Sequence, residues 1–213
     1  MGIQLLEVRT GSVRTTTGAD GRSWTSAIWK ERVEGPVLLG REGLAGDTVG
    51  NRSVHGGPDQ AVLAYAAEHY PLWRGEGLAA EPGAFGENLV LSGLTDDQAC
   101  IGDVYALGPA RVQISHPRQP CDTLARRFGS KEIVARVWAL RRGGWYLRVL
   151  EEGPVAAGMD LVLLERPNPG GTVARVLGAC LNAASAPSEA RAMAGLEGLT
   201  QEWVARLLKK AAL

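Results

Sequence analysis

Cys121 stands in the run Ile114-Ser115-His116-Pro117-Arg118-Gln119-Pro120-Cys121-Asp122, where a strand hands over to a short predicted helix. The cation of Arg118 and the start of that helix both favour the thiolate, the form of cysteine that attacks electrophiles and ligates metals. Pro117 and Pro120 fix the approach, while Arg126 and Arg127 add positive charge that Asp122 partly offsets. The other two cysteines read as small hydrophobes. Cys180 falls on an apolar helical stripe, and Cys100 sits in Ala99-Cys100-Ile101 beside a turn.

Three further constellations carry chemistry. In Val54-His55-Gly56-Gly57-Pro58-Asp59-Gln60, two glycines let the backbone approach a ligand closely, and His55 can donate a hydrogen bond or move a proton. A glycine-rich hairpin with a structural histidine would look the same, so both readings stand. Phe85-Gly86-Glu87-Asn88-Leu89 opens a strand with a polar pair that is costly to bury alone; taken by itself it reads as a turn whose side chains hold nearby backbone. Trp24-Thr25-Ser26-Ala27-Ile28-Trp29-Lys30 sets hydroxyls beside a lysine, a chemistry suited to a phosphate, although such residues also crowd ordinary surface loops. The phosphate-loop, dinucleotide, zincin and nucleophile-elbow motifs do not occur, which removes the usual support for those chemistries.

Composition narrows the partners. Lys and Arg (23) balance Asp and Glu (23), so no global field draws the chain to nucleic acid or an anionic membrane, and the expected partner is a small molecule. A helix-turn-helix reading of the C-terminal helices has only Arg206, Lys209 and Lys210 as a basic cluster. Three well-separated cysteines suggest neither a disulfide framework nor a zinc knuckle and fit a reducing cytoplasm. The first residues lack a basic and apolar leader, and no apolar run approaches the ~20 residues of a membrane span.

These groups must be positioned by a mainly β fold. Short β-like runs broken by Gly and Pro recur at 3–8, 37–39, 61–65, 88–91, 104–107, 111–115, 146–150 and 161–164, which favours a barrel or sandwich. Gly56-Gly57 and Gly143-Gly144 supply its tight corners. Helices are predicted at 68–75, 121–128 and 131–141. The stretch Arg166-Pro167-Asn168-Pro169-Gly170-Gly171 ends the β region and divides a barrel domain (1–166) from a three-helix segment (167–213). In that segment Val173, Val176, Leu177, Cys180 and Leu181 form one helical stripe behind Thr172 as N-cap. A second helix starts at Ser188, and a third follows Thr200 with Trp203, Val204, Leu207 and Leu208 on one face. Helices this short bury little alone, so they are expected to pack on the barrel or on a partner chain.

Gly43-Leu44-Ala45-Gly46-Asp47, His55-Gly56-Gly57-Pro58, Gly86-Glu87-Asn88-Leu89, Ile101-Gly102-Asp103, Ser115 to Cys121 and Gly144-Trp145-Tyr146-Leu147-Arg148-Val149, in this order, resemble the MOSC domain. The helical tail is similar to that of its YiiM-like branch. The resemblance implies a MOSC-type β-barrel that binds the molybdenum cofactor (molybdopterin). For this branch it implies reduction of N-hydroxylated compounds, such as hydroxylaminopurine bases, with electrons from an external reductase. The family's cysteine falls on Cys121, as metal ligand and catalytic group. Its His-Gly-Gly motif falls on His55, Gly56 and Gly57, and its basic residue on Arg118. Protons would come from His55 or His116, and Ser26, Lys30, Asn88, His116 and Arg118 join the cofactor-binding set. His116 replaces a common Gln, Asn51 a common acid, and Gly158-Met159-Asp160 a usual Gly-Asp. The alternative is a non-redox sulfur carrier with a Cys121 persulfide. Pyridoxal phosphate, with Lys30 as the only lysine beside a motif, ranks below both. Monomer and homodimer both stay open.

Overall fold

The computed structural model describes residues 2–18, 21–50 and 56–212. In chain order its strands are β1 (Ile3–Thr10), β2 (Arg14–Thr17), β3 (Ser23–Ser26), β4 (Glu31–Val33), β5 (Val37–Gly40), β6 (Gly43–Leu44), β7 (Val62–Ala66), β8 (Leu89–Ser92), β9 (Val104–Leu107), β10 (Ala110–Pro117), β11 (Trp145–Glu151), β12 (Gly153–Val155) and β13 (Asp160–Glu165). The helices are α1 (His69–Gly75), α2 (Asp122–Phe128), α3 (Glu132–Leu140), α4 (Val173–Leu181), α5 (Pro187–Ala194) and α6 (Gln201–Lys210).

Seven strands close on themselves in the order β13-β9-β10-β11-β7-β8-β1, with β1 pairing back to β13 through Ile3 and Leu161. All pairings in the ring are antiparallel except β7 with β8. That parallel pair needs a crossover, and α1 with the loop after it supplies one. Closure also needs strands that bend, and register shifts supply the bend in β1 between Leu5 and Glu7 and in β10 between Ile114 and His116. The second shift has a chemical result: Ser115, His116 and Arg118 are all buried in succession instead of alternating in and out.

Every strand expected from the sequence is present within a residue or two, and so are the six helices. The pattern missed β2 and β3, a polar threonine-rich ribbon, and the short β4, β6 and β12, which carry no apolar alternation. The tail helices do pack on the barrel. Val173, Val176, Leu177, Trp203 and Leu207 share one apolar cluster with barrel residues Ile114, Trp145 and Leu147. Thr172 caps α4, its hydroxyl accepting from Arg175 N at 3.1 Å. A second cluster, with Tyr65, Trp73 and Phe85 at its centre, joins α1, α2 and α3 to the barrel wall and holds the segment after β10 in place. Among the described residues no helix is long and apolar enough to cross a membrane.

Candidate active site

Cys121 is the N-cap of α2, with an extended backbone that lets its carbonyl accept from Leu124 N (3.0 Å) and Ala125 N (3.3 Å). Its thiol is half-buried. It faces a cavity of about 290 Å³, at the small end of the size range that holds small organic ligands. Ser26, Lys30, Asp47, Gly56, Asn88, Arg118 and Tyr146 line the same space.

Arg118 reaches this cavity because the bulge in β10 turns the strand's end inward, and because its backbone N donates to Gly144 O (3.0 Å). The residue is only 4% exposed, and its Nη1 is buried without a hydrogen-bond partner among the described residues. Tyr146 stands beside it. Burial pushes the Tyr146 phenol up, the Arg118 charge pulls it partly back, and a Cys121 thiolate pushes it up again, so at neutral pH it stays a hydrogen-bond donor.

The lysine is already paired. Lys30 Nζ donates to Asp47 Oδ1 and to Thr48 O (3.3 Å), and both side chains of the pair are about nine-tenths buried. Asp47 also accepts from Gly11 N (2.7 Å) and Asn88 Nδ2 (2.9 Å). Asn88 spends its remaining groups on Leu63 N (3.1 Å) and Arg9 O (3.2 Å), so it braces the cavity wall. Ser26 Oγ accepts from Ile28 N (3.2 Å) and keeps its own hydrogen available. Glu87 does what the sequence reading preferred, taking hydrogen bonds from Gly83 N, Phe85 N (2.9 Å) and Tyr70 OH.

The structure therefore brings Cys121, Ser26, Lys30, Gly56, Asn88 and Arg118 together. It places His116 and Gly57 elsewhere, in a second hollow of about 310 Å³ bounded by the Gly56-Gly57 turn and the start of α6. His55 and Asn51 lie outside the described residues. Arg126 and Arg127 do not line the cavity; their guanidiniums sit over the Trp24 and Trp29 rings, each 5.9 Å from the ring centre. Of the three arginines expected around the thiol, Arg118 lines the cavity. The sequence assigns no role to Asp47 or Tyr146, since nothing in a Gly-Asp turn or a strand tyrosine announces a distant partner.

A MOSC domain profile matches residues 51–162. The uncharacterized protein YflK of Bacillus subtilis is 47% identical over 154 residues, covering 71% of this chain and 69% of that protein. This chain belongs to the MOSC domain family. The crystal structure of YiiM from Geobacillus stearothermophilus places it in the YiiM-like branch, with a TM-score of 0.82 at 31% identity over 98% of this chain and 99% of that one. A Gibberella moniliformis protein named Reductase is 42% identical over 178 residues, 81% of this chain. The chain matches 31% of that MOSC relative's length.

Proposed function

We propose that the cavity beside Cys121 binds the molybdenum cofactor, that Cys121 ligates the metal, and that the loaded protein reduces N-hydroxylated substrates such as hydroxylaminopurine bases to amines. Arg118 carries this reading. A buried guanidinium nitrogen without a partner is costly, and an anionic ligand in the cavity removes that cost. The phosphate of the cofactor is such an anion. One soft thiolate suits a metal whose other ligands include the pterin dithiolene, and Cys121 offers it from the same wall.

When bound, the cofactor supplies two-electron redox chemistry at an oxygen-bearing substrate, with electrons from an external reductase. The chain's own residues hold and shield it. Arg118 Nη1 and the Ser26 hydroxyl donate to the anion, and Tyr146 stays protonated as a further donor. The Lys30 ammonium, neutralised by Asp47, offers a remaining N–H and little net charge. Ile28, Leu63 and Phe85 give the cavity an apolar side that keeps water out. The relative named Reductase supports a redox activity in the family.

The test is the reduction of a hydroxylaminopurine by chain produced anaerobically in a host that makes the cofactor. Amine should form with a chemical reductant and cease in Cys121→Ala; undiminished turnover in that variant would overturn the proposal. The sulfur-carrier reading draws on the thiol's partial exposure. It requires instead a mass increase of one sulfur on Cys121 in protein without molybdenum.

A further inference from the structure

The second hollow has its own chemistry. It is bounded by Gly56, Gly57, Gln60, His116, Thr200 and Glu202, and it shares Gly56 and Gln60 with the Cys121 cavity. His116 lines this hollow and Tyr146 the Cys121 cavity, and their rings are 5.0 Å apart.

The protonation of His116 follows from its neighbour. Ser115 Oγ has one hydrogen and two carbonyl acceptors, Asp59 O at 2.6 Å and Tyr146 O at 3.1 Å. It therefore accepts from His116 Nδ1 at 3.1 Å, so the imidazole proton sits on Nδ1 and Nε2 is a bare acceptor. Burial, then the charges of Arg148 and Arg206, pushes the pKa of His116 down to about 3, so the ring is neutral. Two more polar atoms wait beside it. Thr200 is 6% exposed and its Oγ1 has no partner among the described residues, although it holds the N-cap position of α6. Gln60 Oε1 is also buried without a partner among the described residues. The charged groups nearby are paired, Asp59 with Arg148 (2.7 Å) and Glu202 with Arg206 (3.0 Å).

We infer that this hollow is a ligand subsite for a neutral nitrogen heterocycle that presents N–H donors to His116 Nε2 and Gln60 Oε1 while a ring nitrogen accepts from the Thr200 hydroxyl. An aliphatic amine is charged at neutral pH and a carboxylate brings no donor, whereas the edge of an amino-heterocycle carries donor and acceptor side by side. The inference rests on the proposed function in taking this ligand to be the substrate's base, held next to the Cys121 cavity.

Calorimetry on the full chain with adenine as probe tests it. Adenine should bind saturably, and 9-methyl-N6,N6-dimethyladenine, which has no N–H left, about tenfold more weakly; His116→Phe should lose a similar factor. Thr200→Val should weaken adenine several-fold with Tm unchanged or raised, because the hydroxyl it removes has no partner among the described residues. The 15N signal of His116 Nε2 should be that of an unprotonated nitrogen and should shift on adding adenine. No saturable binding, equal binding of the methylated analogue, or unchanged affinity in Thr200→Val overturns the subsite. Should His116→Phe fail to fold, Thr200→Val and the nitrogen signal decide. Loss of adenine binding counts against the hollow alone, and metal retained by Cys121→Ala counts against the proposed function alone.

Discussion

Arg118 lines the cavity and its buried Nη1 has no hydrogen-bond partner among the described residues, and two opposed effects follow from replacing that side chain. Arg118→Met keeps most of the volume and removes a buried charge, so Tm should hold or rise while cofactor loading falls more than about tenfold. Metal analysis and a melting curve on one preparation check both. His116 makes a prediction about pH. Its pKa in the fold is about 3 against an ordinary 6.5, so the unfolded chain binds the extra proton first. Stability from this residue is therefore complete above pH 6.5 and drains away as the pH falls toward 3, by up to roughly 1.4 kcal/mol per pH unit. Urea titrations between those limits should show His116→Gln with a shallower loss than the wild type. Arg118 and Cys121 could be read from the sequence because a Pro-Arg-x-Pro-Cys run places them locally. Which hollow His116 enters could not, because that depends on the shifted register in β10.

Elements explain how the Arg118 backbone is held. Gly144 has φ 76°, and a Cβ there would lie 2.4 Å from Ala64 O and 2.9 Å from Tyr65 Cδ2. The turn is pinned from below by buried Asp96, whose Oδ1 accepts from Gly143 N (3.1 Å) and Gly144 N (2.9 Å) and whose Oδ2 meets His69 Nε2 (2.7 Å). Gly144→Ala should cost more than about 2 kcal/mol by denaturant titration and should reduce cofactor loading, since Gly144 O holds Arg118 N. The glycine pair announced a tight corner in the sequence. Asp96, far off in the chain, announced nothing, and the same distance hides the clamp of Asp47 on Lys30 and Asn88.

At the scale of the molecule, the tail is tied to the site. Arg206 of α6 donates to Gln119 Oε1, two residues before Cys121, and Trp203 and Leu207 lie in the barrel's own apolar cluster. Barrel and tail should therefore unfold in one transition, and Trp203→Ala should lower the stability of the whole by about 3–5 kcal/mol, read as a single shifted melting curve. The seven barrel strands, β5 and the six helices were legible because Gly and Pro punctuate short apolar runs. The pattern of runs leaves barrel and sandwich open and the resemblance to the MOSC domain implies the barrel; the pairing of β1 with β13, which joins the two ends of the β region, closes it. The chain assembles these parts around one thiol, and its metal content decides the account. Full-length protein made anaerobically in a host that supplies the cofactor should carry molybdenum and pterin near one per chain, and Cys121→Ala should carry far less molybdenum; equal molybdenum in the two proteins would contradict the role assigned to Cys121.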